Sequence, residues 1–237
     1  KDLKALKTDL EFFGLGGKLC KVTGVDIDFD IKRLAVIGLV DVLKNIFTIG
    51  KVFKGILKKV DSRKTDLAIL VDYPGFNLRL AKELKKRGIP VIYYISPQVW
   101  AWGENRINII RECVAKMLVF FKFEEDLYKK NSVNSEFVGN PLLETVKTTL
   151  PKDEILKKYN LSKDRPVVAL LPGSRTMEVK TLLKIMAGSA GIIAKELPGA
   201  QFVVAKYKNL PAALYEEGLK GRSLDIRIID GVSYNIL

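Results

Sequence analysis

An α/β protein with two doubly wound parallel-sheet units is what the sequence predicts. From residue 66 onward, short β-rich runs alternate with longer amphipathic runs, the pattern of parallel strands joined by crossover helices. The series is interrupted once, by a polar stretch from Lys147 to Pro166, and then resumes. With 237 residues, 48% of them hydrophobic, the chain can bury either one large core or two smaller ones. The interruption favours two, with the boundary near residue 150 and units of 1–150 and 151–237.

Each element follows from its own residues. Leu67-Ala68-Ile69-Leu70-Val71 reads as a buried strand, and Asn77 as the cap of a helix through Leu78, Leu80, Ala81 and Leu84 to Lys86. Gly88 stops that helix and Pro90 forbids its extension. The next strand is Val91–Ile95. A helix from about Glu104 to Cys113 then leads to the strand Met117–Phe121, and a helix through Asp126 and Tyr128 leads to Glu136-Phe137-Val138. Asn140 before Pro141 reads as a turn residue capping the next helix. A short helix, Asp153–Lys158, lies in the polar stretch. Beyond it come the strand Val167–Leu171, a helix from about Glu178 to Lys195, the strand Gln201–Ala205, a helix around Ala212 to Leu219 and the strand Ile226–Ile229. Three strands are few for a doubly wound sheet, so Leu237 is read as a truncation point and Lys1 as a start partway through a helix. Both units are therefore expected to be incomplete in this chain.

Composition excludes several chemistries. Histidine is absent, which removes Ser-His-Asp and Cys-His mechanisms and imidazole-bearing zinc sites. A general base must then be a carboxylate, with Lys or Tyr as the remaining options. Cys20 and Cys113 lack Cys-x-x-Cys spacing and read as reduced, structural thiols. The net charge of +13 points to an anionic partner: nucleic acid, a phosphate-bearing substrate or an acidic membrane face. No apolar window of 18 residues and no signal-peptide pattern at Lys1-Asp2-Leu3-Lys4 appears, so the expected compartment is the cytoplasm.

Ligands of open α/β sheets bind beyond the carboxyl ends of the strands. Four such ends carry unusual residues: Asp72-Tyr73-Pro74-Gly75-Phe76-Asn77, Ser96-Pro97-Gln98-Val99-Trp100-Ala101-Trp102, Gly139-Asn140-Pro141 and Pro172-Gly173-Ser174-Arg175. They are expected to converge on one crevice. Asp72, ending an apolar strand, is expected to be buried and so poised as a general base, or else to bind turn amides. Gly173, Ser174 and Arg175, followed by Glu178, outline a strand-turn-helix anion site in which a guanidinium suits a diphosphate; an ordinary turn with a solvated Arg is the other reading. No G-x-x-x-x-G-K-[ST] or G-x-G-x-x-G pattern occurs. Trp100 and Trp102 can stack on a sugar, fill an acyl cleft or pack between domains.

The stretch from Val36 to Val60 repeats apolar residues at Val36, Val40, Leu43 and Phe47, broadened by Ile46 and Ile49, and again at Phe53, Ile56 and Leu57, with Lys44, Lys51, Lys54, Lys58 and Lys59 at the flanks. Such a face suits either a helix lying in an anionic headgroup region or a helix packed on the sheet.

Taken together the chain resembles the lipid A disaccharide synthase family. Six segments stand in the family's order: Phe13–Gly17, Leu34–Leu43, Val71–Leu78, Tyr94–Trp102, Phe137–Leu142 and Leu170–Arg175. The resemblance implies two Rossmann-like domains of the GT-B glycosyltransferase type, the first on the acceptor and membrane side and the second for the nucleotide sugar. It implies transfer of 2,3-diacylglucosamine from UDP-2,3-diacylglucosamine to 2,3-diacylglucosamine 1-phosphate, with inversion and without a required metal or other cofactor. Asp72 would be the base and Arg175, with Gly173 and Ser174, would hold the UDP. Glu178 would shape the nucleotide pocket, and Asn77, Ser96 and Trp100 would belong to the acceptor side. Because both substrates carry acyl chains, Val40, Leu43, Ile46 and Phe47 would contact an anionic membrane, making this a peripheral protein of the inner membrane; a homodimer is compatible with that reading.

Three departures accompany the resemblance. The family's opening Ala-Gly-Glu-x-Ser-Gly-Asp loop would precede Lys1, and its Gly-His-Pro is Gly139-Asn140-Pro141 here. Its Ser-Gly-Thr-Ala-Thr-Leu-Glu donor segment would lie beyond Leu237, so the donor pocket is expected to be incomplete. Two other readings compete with it. A UDP-sugar 2-epimerase would share the architecture but expects a histidine-bearing site. A basic nucleic-acid-binding module would use the charge, yet no helix-turn-helix or aromatic-basic signature is present.

Overall fold

Parallel strands cannot be joined by tight turns, so each crossover in this chain carries a helix. The computed structural model describes residues 2–31, 39–101, 103, 105–148, 150–221 and 224–230; the side chains of 39–46 and of 145 lie outside that description. The chain divides into two compact units, Lys1–Asn140 and Pro141–Leu237.

The first unit runs α1 (Asp2–Leu6), β1 (Phe13–Gly16), α2 (Lys18–Val22), β2 (Asp26–Asp30), α3 (Leu39–Ser62), β3 (Ala68–Val71), α4 (Pro74–Lys86), β4 (Val91–Tyr94), α5 (Asn105–Cys113), β5 (Lys116–Val119), α6 (Lys122–Lys130) and β6 (Ser135–Phe137). β1 and β2 form a parallel pair, and β3, β4, β5 and β6 form a parallel sheet in sequence order. β1 and β2 lie ahead of the alternating pattern that begins at residue 66.

The sheet of the first unit closes over Leu84, Val91, Tyr93, Ile110, Met117, Val119 and Tyr128, all essentially inaccessible to solvent. Each such aliphatic side chain contributes about 1.5–3 kcal/mol by leaving water. β3 departs from expectation. It is an edge strand rather than a buried one: Leu67, Ile69 and Val71 are exposed and only Leu70 is buried. The helix after it also begins earlier than Asn77. Its cap is Tyr73 and Pro74 takes the first helical position, where a missing amide hydrogen costs nothing. Likewise Pro141, not Asn140, occupies the cap of the short helix Leu142–Thr145.

α3 contains the whole lysine-edged stretch from Leu39, and its second half is not free. Val52, Ile56 and Val60 are buried in the core, and Phe53 and Leu57 pack partly against it. Gly55 permits this approach, since a Cβ there would stand 2.4 Å from the Phe29 ring of β2. Lys59 pairs with the Asp28 carboxylate of β2 at 2.8 Å. The packed-helix reading therefore holds for this half of the stretch. Phe47, by contrast, is 82% exposed; the side chains of Val40, Leu43 and Ile46 lie outside the described residues.

The second unit runs α7 (Leu142–Thr145), α8 (Lys152–Lys158), β7 (Val167–Leu170), α9 (Thr176–Glu196), β8 (Gln201–Lys206), α10 (Ala212–Leu219) and β9 (Ile226–Asp230), with β7, β8 and β9 parallel and in order. α9 presents Val179, Leu183 and Ala190 to Phe202, Val204, Leu214 and Tyr215. Val203 and Ile229 face the other way and meet Leu156 and Leu161.

Candidate active site

The turn after β3 is strained. Asp72 and Tyr73 both have φ of +47°, the left-handed region that an Asp tolerates and a Tyr does not favour. The surrounding hydrogen bonds over-determine it. Asn77 Nδ2 donates to the carbonyls of Val71 (3.0 Å) and Asp72 (2.6 Å), and the Tyr93 hydroxyl donates to the Asp72 carbonyl at 2.7 Å. The Asp72 amide in turn donates to the Tyr94 carbonyl at 2.9 Å. Burial, together with the nearby Asp72 charge, pushes the Tyr93 phenol well above its ordinary range, so it stays a donor.

The consequence for Asp72 is the reverse of the burial expected from sequence: the residue is exposed. A sharp strand-to-helix turn lifts the carboxylate out of the sheet edge, where it can meet a ligand. Asn77 is 8% exposed and spends its amide hydrogens on the turn, so its contact is with the backbone that carries Asp72. Tyr93 is a supporting residue the sequence reading missed, since nothing in an apolar strand marks a hydroxyl bound for a neighbouring turn.

The adjacent strand end repeats the strain. Ile95, β-branched, has φ of +68°. Ser96 follows, buried, with Oγ donating to Glu124 Oε1 at 2.8 Å. Trp100 is 51% exposed and meets the Phe123 ring edge-on at 5.5 Å, while Phe121 stacks on Phe123 at 5.6 Å. Trp102 lies outside the described residues. Asp72, Ser96 and Gly139 thus lie along one end of the first unit's parallel strands.

In the second unit, Gly173 has φ of +107°, and a Cβ there would collide with Glu178 at 2.6 Å, so only glycine fits. Glu178 Oε2 accepts the amides of Ser174 (3.1 Å) and Arg175 (3.2 Å), and its Oε1 accepts from the Arg175 guanidinium at 2.5 Å. These amides and the adjacent cation hold the Glu178 carboxyl below its ordinary range. The four expected residues do come together. The two amides and the guanidinium are engaged by the chain's own Glu178 carboxylate. A cavity of about 740 Å³ in this unit lies elsewhere, beside α8 and the amino-terminal end of β7, lined in part by Ile155, Tyr159, Val167 and Ile229. It is at the wrong end of the strands for Arg175, and the strand-end rule outweighs its size.

A family model described as lipid-A-disaccharide synthetase matches residues 1–235. The chain belongs to this family. Lipid-A-disaccharide synthase of Coxiella burnetii (strain Dugway 5J108-111) is 40% identical over 210 residues, covering 89% of this chain and 56% of that protein. That of Myxococcus xanthus (strain DK1622) is 44% identical over 202 residues, covering 85% and 53%. The chain thus spans little more than half the length of these relatives. The fold is similar to UDP-GlcNAc 2-epimerase from Neisseria meningitidis, with a TM-score of 0.57 at 14% identity over 92% of this chain and 62% of that one. The epimerase from Methanocaldococcus jannaschii gives 0.52 at 13%, over 94% and 74%. Those likenesses concern architecture alone, the two-domain Rossmann-like type expected from the sequence.

Proposed function

We propose that this chain carries the acceptor-activating side, and part of the donor side, of the transfer of 2,3-diacylglucosamine from UDP-2,3-diacylglucosamine to 2,3-diacylglucosamine 1-phosphate. The products are the β-1,6-linked disaccharide 1-phosphate and UDP. The observation that carries this reading is the exposed Asp72 carboxylate, raised on a strained turn at the end of β3 in a chain of this family.

Asp72 takes the proton of the acceptor's 6-hydroxyl as that oxygen attacks the anomeric carbon and the bond to the UDP oxygen breaks. One in-line displacement inverts the centre. Arg175, with the Gly173 and Ser174 amides, stabilises the charge gathering on the departing diphosphate once Glu178 yields its place. Asn77 acts through the Asp72 turn, the buried Ser96 acts through the loop that carries Trp100, and Trp100 faces the acceptor. No metal is assigned a role. The amino-terminal half of α3, with Val40, Leu43, Ile46 and the exposed Phe47, meets the cytoplasmic face of the inner membrane, from which both lipid substrates come.

The test is direct: incubate a full-length protein carrying these residues with both lipids and follow the disaccharide by mass spectrometry. Asp72→Ala is expected to lower turnover about 10²–10⁴-fold while leaving acceptor binding nearly unchanged. A near-normal rate would end the assignment of the base, and no disaccharide from the unaltered full-length protein would remove the reaction from it.

A further inference from the structure

The loop after β4 is tied down from one side by the first turns of α6. Ser96 Oγ donates to Glu124 Oε1 at 2.8 Å, the Tyr128 hydroxyl donates to the Pro97 carbonyl at 3.3 Å, and Phe123 meets Trp100 edge-on. Glu124 is only 4% exposed. Its second oxygen accepts the Phe121 amide at 3.3 Å, closing the start of the helix. A cap needs one carboxylate oxygen and is served as well at the surface. Burying a carboxylate is costly unless both oxygens are engaged, and here the other partner is the loop. The reaction proposed above makes no use of Glu124.

We propose that Glu124 is a positioning residue, which fixes Ser96 and, through α6, the conformation of residues 96–100. Its consequence for acceptor affinity rests on the reading of this loop as the acceptor side; the brace itself does not.

Both tryptophans of the chain, Trp100 and Trp102, lie on this loop, so intrinsic fluorescence reports on it. In the 237-residue chain, Glu124→Ala and Ser96→Ala are each expected to red-shift the emission and increase acrylamide quenching. The double variant is expected to go no further than Glu124→Ala, because the two share one bond. Glu124→Gln keeps an acceptor for Ser96 and is expected to retain the unaltered emission. A Glu124 that served only the helix cap would lower thermal stability while Ser96→Ala left the emission unmoved; that result, or full additivity in the double variant, overturns the proposal. If Glu124→Ala fails to fold by circular dichroism, Ser96→Ala and Glu124→Gln decide the matter alone, the first shifting the emission and the second not. In a titration with 2,3-diacylglucosamine 1-phosphate in detergent micelles, Glu124→Ala is expected to weaken binding about tenfold, the scale of one hydrogen bond to a charged group. An unaltered chain that does not bind this lipid refutes the acceptor reading, while the emission comparison still decides the brace.

Discussion

Asp72 owes its presentation to Asn77. The two Nδ2 hydrogen bonds to successive carbonyls hold a turn whose left-handed residues would relax without them. Asn77→Ala is therefore expected to destabilise the chain by about 1–3 kcal/mol, the effect of losing two hydrogen bonds to the turn, after which the Asp72 carbonyl keeps only the Tyr93 hydroxyl. Asn77→Asp is expected to cost more, because it turns an acceptor toward two acceptors. Urea midpoints order the three proteins, and an Asn77→Asp at least as stable as Asn77→Ala would show the turn to be held by other means. The sequence made Asn77 conspicuous for a different reason, since Asn favours helix caps; the Pro-Gly pair ahead of it moved the helix start forward to Pro74 and left Asn77 inside the first turn. Asp72 was legible from its place after an apolar run. Its exposure was not, because burial of that run depends on which strand lies at the sheet edge.

At the scale of elements, α6 carries a charge cluster with a defined acid response. Glu125, on the helix beside Glu124, receives Lys122 and, at 2.8 Å, Lys129, and these partners lower its carboxyl from 4.5 to about 2. A folded-state value below the unfolded one means that the ionised group stabilises the fold at neutral pH. That contribution is present above about pH 4.5 and is lost as the pH falls toward 2. Thermal melts across this window are expected to fall more steeply for the unaltered chain than for Glu125→Gln, and parallel curves would contradict the pairing. α3 illustrates what periodicity can and cannot convey. The apolar repeat marks one helix with one wide face, but the same repeat serves a sheet-packed face at Val52, Ile56 and Val60 and an exposed one at Phe47. β2 was readable in principle: Asp26-Ile27-Asp28-Phe29-Asp30 alternates with period two. β1, four residues with two glycines, offers no such signal.

For the whole molecule, the excess of +13 and the exposed Phe47 of α3 lead to one expectation. The chain should sediment with vesicles rich in anionic lipid and be released as salt screens the lysines, over roughly one Debye length of 10 Å at 0.1 M. Replacing Val40, Leu43, Ile46 and Phe47 by Ser should release it without unfolding, whereas Ile56→Ser, in the buried half, should unfold the first unit instead. Loss of folding in the fourfold variant would assign those residues to the core. The repeating strand and helix pattern from residue 66 made the α/β class legible, and each strand-end motif was found at the end of its strand. What residue order could not convey was the coupling across neighbouring strands, as between Tyr93 and Asp72 or Glu124 and Ser96, because those partners are distant in sequence and ordinary in type.

β3 pairs with β4 on one side, and among the described residues no strand lies on its other. Leu67, Ile69 and Val71 stand uncovered along that strand, so a further strand added there would meet an apolar strip already in place.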